Sequence, residues 1–188
     1  MEEKKELIRA FVCIDFPDAI VKEVARIQEQ LENLKFTGKM TELENLHLTL
    51  KFLGEIEKEK IEEVRKKLGK IKFQEFEAKM SEIGSFSRRG NPRIVWIKIG
   101  GKEIFELQEK IDGEMKELGF KMEERFMSHM TIARVKYAKD KKGFFEYVKN
   151  LGIKEIKFKV DKFILKRSEL RESGPIYTNI EEYWAVKF

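Results

Sequence analysis

The chain has 188 residues and a formal net charge of +5, from 39 Lys and Arg against 34 Asp and Glu. Its longest apolar run, Ala10–Ile14, falls far short of the ~20 residues that span a bilayer, and its one cysteine, Cys13, cannot close an intramolecular disulfide. Transmembrane, disulfide-rich secreted and collagen-like classes are therefore excluded; with 41% hydrophobic residues and interleaved charge, one cytoplasmic domain over 1–188 is expected, with no secretory leader.

Ile8, Ala10, Val12, Ile14 and Phe16 alternate, which predicts a strand over 7–16. Pro17 and Asp18 then open an amphipathic helix through Ile20, Val24, Ile27 and Leu31. Alternation returns at 45–53 and stops at Gly54, and a charged helix follows at about 58–69 with Ile61, Val64 and Leu68 as its stripe. Strands are expected near 73–83 and 93–99, separated by a basic, turn-rich loop at 84–92. A helix at 102–118 carries Ile104, Leu107, Ile111, Met115 and Leu118. Then come a strand at 128–136, a short helix at about 143–150, a strand at 155–166, a loop at 167–177 and a last strand ending at Phe188. The order βαβαββαβαββ places a strand, a helix and a histidine-bearing strand in each half. It predicts an α+β fold of two pseudo-symmetric lobes, each an antiparallel sheet with outer helices, around one cleft. Lys and Glu dominate the charge while only four Gln and five Asn occur, a bias that resembles thermophile proteins.

The chain has two histidines, and each is followed two residues later by threonine: His47-Leu48-Thr49-Leu50 and His129-Met130-Thr131-Ile132. With five threonines in the chain, the chance of both coincidences is about 0.0007. On a strand, residues i and i+2 share a face, so each motif delivers one imidazole and one hydroxyl to a common surface. Two imidazoles near neutrality and two hydroxyl donors suit a phosphodiester: a neutral His takes a proton, a protonated His gives one, and the hydroxyls bond the non-bridging oxygens. No third His, Cys or carboxylate cluster stands beside either motif, so neither a metal nor any other cofactor is expected. Lys51 shares the face of His47 and Thr49 by alternation and is a candidate phosphate contact. Lys110-Ile-Asp-Gly113 matches a nucleotidyl-transferase pattern but lies inside a helix, and no ATP-binding phosphate loop exists. Two basic segments, Arg88, Arg89 and Arg93, and Lys166, Arg167 and Arg171, are candidate walls of an RNA groove, with Phe86 a candidate stacking residue.

The paired motifs resemble the two-histidine phosphoesterase superfamily, in its LigT/ThpR branch of RNA 2′,3′-cyclic phosphodiesterases, historically termed 2′-5′ RNA ligases. The likeness spans nearly the whole chain: Arg9-Ala10-Phe11, His47 to Gly54, Pro92 to Trp96, His129 to Arg134, and Ser173-Gly-Pro-Ile-Tyr177. It implies hydrolysis of a terminal cyclic phosphate on RNA to a 2′-phosphate, with His47 as general acid and His129 as general base; the chain is expected to act as a monomer. It also implies Thr49, Thr131 and Arg134 on the phosphate, although plain alternation turns Arg134, five residues from His129, to the opposite face. Two alternatives stay open: ATP-independent 2′-5′ ligation, which is the reverse reaction, and a non-catalytic RNA-binding module.

Overall fold

The computed structural model describes residues 6–172 and 174–187. Each expected helix forms and buries the stripe its spacing defines. Helix α1 (Asp18–Glu32) buries Ile20, Val24, Ile27 and Leu31, and α2 (Lys58–Leu68) buries Ile61, Val64 and Leu68. Helix α3 (Lys102–Glu117) buries Ile104, Leu107, Ile111 and Met115. Helix α4 (Lys141–Asn150) buries Phe144 and Val148, and Asp140 caps it by accepting from the Gly143 amide at 2.9 Å. Each such apolar side chain contributes about 1.5–3 kcal/mol when fully buried.

The strands are β1 (Leu7–Asp15), β2 (Phe36–Met40), β3 (His47–Glu57), β4 (Phe76–Arg88) and β5 (Asn91–Gly100). They continue as β6 (His129–Ala138), β7 (Ile156–Val160), β8 (Lys162–Arg171) and β9 (Gly174–Trp184). All pair antiparallel in one curled sheet of order β7-β4-β5-β6-β3-β1-β8-β9, with β2 added to β6. The lobes are thus halves of a continuous α+β sheet, joined where Leu48 of β3 pairs with Met130 of β6. The helices cover one face: α1 lies against β6, α2 and α3 against β3, and α4 against β4 and β5. The other face is left for the cleft.

Three segments differ from expectation. The 84–92 loop is the extended tip of the β4–β5 hairpin, turned by Arg89 and Gly90 at φ values of 52° and 72°, the paired left-handed geometry that suits a two-residue hairpin loop. The strand expected at 155–166 breaks at Asp161, and the 167–177 loop is the β8–β9 hairpin; Ser173 and Phe188 lie outside the described residues. Strand β2 escaped detection because its Phe-Thr-Gly-Lys-Met sequence is mostly solvent-facing and has no alternating apolar signal.

The two histidine strands carry the same irregularity. Val12 and Cys13 of β1 oppose Lys51 and Thr49, which leaves Leu50 as an extra residue in β3. Val95 and Trp96 of β5 oppose Ala133 and Thr131, which leaves Ile132 as an extra residue in β6. A bulge places two consecutive residues on one side and inverts the alternation beyond it. Leu50 with Lys51, and Ile132 with Ala133, are accordingly all buried behind the sheet.

Candidate active site

These bulges decide which side chains reach the cleft. His47, Thr49, His129 and Thr131 precede the bulges and project into a common cleft of about 470 Å³. The antiparallel register centred on Leu48 and Met130 sets His47 on the Thr131 side and Thr49 on the His129 side. Each imidazole is therefore flanked by the hydroxyl-bearing residue of the opposite half. Beyond the bulges the alternation has inverted, so Phe52 and Arg134 face the cleft at equivalent positions.

The same shift corrects the expectation for Lys51. Lys51 is only 6% exposed and turns behind the sheet, where its ammonium ion-pairs with Asp112 and donates to the Lys121 carbonyl. It does not face the cleft. Arg134, which plain alternation turned away, does face it.

Both imidazoles are oriented in one way. His47 Nδ1 lies 2.7 Å from the Asn45 carbonyl, and His129 Nδ1 lies 2.7 Å from the Met127 carbonyl. A carbonyl can only accept, so Nδ1 carries the proton and each Nε2 is left to exchange one with a ligand. Rings brace the imidazoles: Phe11 and Tyr177 lie 4.8 and 5.3 Å from His47, and Phe86 meets His129 edge-on at 5.2 Å. Burial lowers the His47 pKa below its ordinary value; the Asn45 carbonyl opposes that shift, Lys166 and Arg134 reinforce it, and Asp15 opposes it. With only two histidines in the chain, NMR can test this directly. The His47 ring is expected to titrate below ~6.5 in the free protein, and to titrate higher once 2′-AMP brings a phosphate into the cleft. A His47 titration that 2′-AMP leaves unmoved would remove the phosphate from its neighbourhood.

The β8–β9 hairpin closes one side. Asn45 Nδ2 donates to the Pro175 carbonyl at 2.9 Å, which seats Tyr177 against His47. Gly174, at φ 135°, leaves room for the Lys39–Glu42 ion pair; a Cβ there would lie 2.6 Å from Lys39 Nζ. The cationic side chains lining the cleft are Arg9, Lys39 and Arg134. The two basic segments read from the sequence contribute none. Lys166 pairs with Asp15, Arg167 and Arg171 pair with Glu169, Arg93 donates to the Lys136 carbonyl, and Arg88 and Arg89 sit at the exposed hairpin tip. Phe86 is a half-buried brace rather than a loop residue. Among the described residues, no three His, Cys, Asp or Glu side chains converge as a metal site, and no helix is long and apolar enough to cross a membrane.

The LigT-like phosphoesterase family matches residues 14–96 and 99–177. The chain belongs to that family. A Methanocaldococcus jannaschii protein named RNA 2′,3′-cyclic phosphodiesterase is 37% identical over 94% of this chain and all of its own length. A Thermotoga maritima protein of the same name is 33% identical over 93% of this chain and 94% of its own. Escherichia coli LigT complexed with 3′-AMP shares the fold of this LigT-like chain, with a TM-score of 0.77 at 22% identity over 97% of this chain and 100% of its own.

Proposed function

We propose that this LigT-like phosphoesterase hydrolyses a 2′,3′-cyclic phosphate at the end of an RNA, by acid–base catalysis between His47 and His129 without a metal ion. The observation that carries the reading is the matched pair of imidazoles. Each has its Nδ1 proton committed to a backbone carbonyl and faces the same cleft, and the curated relatives share the corresponding activity name. In the proposed reaction His129 Nε2 takes a proton from water as water attacks phosphorus, and His47 Nε2, protonated, gives one to the departing ribose oxygen. The bond formed is P–O from water, the bond broken is P–O to ribose, and one proton crosses from water to the ribose hydroxyl through the pair. Thr49, Thr131 and Arg134 bind the non-bridging oxygens as charge builds there. The anionic substrate also supplies the charge that draws His47 back toward its protonated form. RNA is required because the ring uses the 2′-hydroxyl that DNA lacks.

Arg9 and Phe52 extend the cleft away from the histidines. The Arg9 guanidinium lies 4.7 Å above the Phe52 ring, and Phe52 remains 51% exposed. We assign them to stacking on a substrate base, a contact worth about 1–3 kcal/mol. Phe52→Ala is expected to raise KM about 5- to 160-fold on that basis while kcat changes little. An unchanged KM would exclude the stacking role.

The decisive experiment incubates the protein with a cyclic-phosphate-ended oligoribonucleotide in excess EDTA, with and without a 5′-hydroxyl acceptor strand. Hydrolysis is expected in both. Loss of turnover on chelation, restored by a divalent ion, would overturn the metal-free mechanism. Ligated product as the main outcome would make the reverse reaction the principal activity, and binding without turnover would leave an RNA-binding module.

A further inference from the structure

The two halves are tied together behind the sheet by polar residues that the chemistry does not use. The buried positions of α1 and α3 recur at the same intervals: Ile20, Ile27, Gln28 and Leu31 in one, Ile104, Ile111, Asp112 and Met115 in the other. Gln28 and Asp112 are therefore counterparts, and both are buried. Gln28 Nε2 donates to the Thr41 carbonyl at 2.8 Å and to the Ile132 carbonyl at 2.9 Å, and the Thr41 amide donates to that same Ile132 carbonyl. Ile132 is the bulge residue of β6, and Thr41 begins the segment leading to Asn45, whose carbonyl orients His47. Asp112 receives the ammonium of Lys51, which sits at the bulge of β3, and accepts from the Glu123 amide at 2.6 Å. Lys51 also donates to the Lys121 carbonyl, at the start of the segment leading to Met127, whose carbonyl orients His129.

We propose that Gln28 and the Lys51–Asp112 pair are crossed positioning locks. Each ties the loop that orients one catalytic histidine to the bulge on the strand of the other. Together they fix the relative placement of the two imidazoles across a central strand pairing that is only one residue long. A buried charge pair is weak support for stability, because well-packed apolar replacements often match it. Its value here is geometric. Misplacing a catalytic group by about 1 Å can cost around 100-fold in rate.

This inference rests on the two-histidine reading of the cleft, and its test separates the two. Gln28→Leu and the double variant Lys51→Met/Asp112→Leu are compared with Gln108→Leu, a buried α3 glutamine whose Nε2 has no partner among the described residues. The readouts are kcat and KM on a cyclic-phosphate substrate, the melting temperature, and the NMR signals of the two histidine rings without substrate. Both lock variants are expected to stay folded, lose about 10- to 100-fold in kcat at nearly constant KM, and shift both histidine signals. Gln108→Leu is expected to change none of these. Lock variants with normal kcat and unmoved histidine signals overturn the inference. So does unfolding, or a kcat loss that merely follows a fallen melting temperature, since either makes the locks structural only. If the wild type proves inactive while both signals still shift in the lock variants, the locks stand and the phosphodiesterase reading falls.

Discussion

His47→Ala and His129→Ala are each expected to lower kcat/KM on a cyclic-phosphate RNA by about 10²–10⁴-fold, the range that general acid–base groups supply. The double variant should be little worse than either single one. One group takes a proton while the other gives one in the same displacement, so removing the first strands the second, and effects of groups that act as a unit are far from additive. Substrate affinity should survive better than turnover, because Arg134, the threonines and the Phe52 ring remain in the cleft. The wild-type pH profile of kcat/KM should be bell-shaped, since one imidazole must be neutral and the other charged. Measuring kcat and KM for the three variants against wild type decides the matter. Near-normal turnover in either single variant, or losses that multiply in the double, would dissolve the pair.

Much of this site was legible in the sequence. The repeat of His-x-Thr survives as two strands whose polar residues share a face because strand alternation is a local rule, and both motifs end before their bulges begin. The positions just beyond the motifs were not legible. Alternation carried past Leu50 sends Lys51 into the cleft and Phe52 out of it, whereas the structure does the reverse. Arg134 needed the matching bulge at Ile132 to reach the histidines. A bulge depends on what the neighbouring strand offers, and a partner strand is a long-range fact that no short window of sequence contains. The four helices were readable for the opposite reason: their apolar stripes are local and strong. The small polar residues on those stripes, Gln28 and Asp112, look like interruptions of a pattern until the carbonyls and the lysine they meet are in view. The Lys110-Ile-Asp-Gly113 decoy makes the same point, since its Asp112 is a buried partner of Lys51 and its Lys110 donates to the Lys72 carbonyl. Likewise the basic segments at 88–93 and 166–171 read as an RNA groove, but most of their charge is spent on neighbouring carboxylates and carbonyls.

Opening of the cyclic phosphate is expected to give a 2′-phosphate alone, with no 3′ isomer. Either ribose oxygen can in principle be expelled, and in-line displacement requires the attacking water and the departing oxygen on opposite sides of phosphorus. Two imidazoles held in facing halves of one sheet, each fixed at Nδ1 by a backbone carbonyl, define a single such axis. Water beside His129 then leaves one ribose oxygen beside His47, and the resemblance to the LigT/ThpR branch implies that it is the 3′ oxygen. The roles themselves are testable by chemistry at that oxygen. A substrate whose 3′ leaving group is far more acidic than a ribose hydroxyl needs no proton as it departs, so it should partly rescue His47→Ala, by about the 10²–10⁴-fold that a general acid contributes at most. It should not rescue His129→Ala, because water still has to lose its proton in the attack. Phosphorus NMR of the wild-type product reads the isomer, and the two variants assayed on the activated substrate read the roles. A 3′-phosphate or a mixture would reject the orientation of the pair, and rescue of His129→Ala in place of His47→Ala would exchange acid and base.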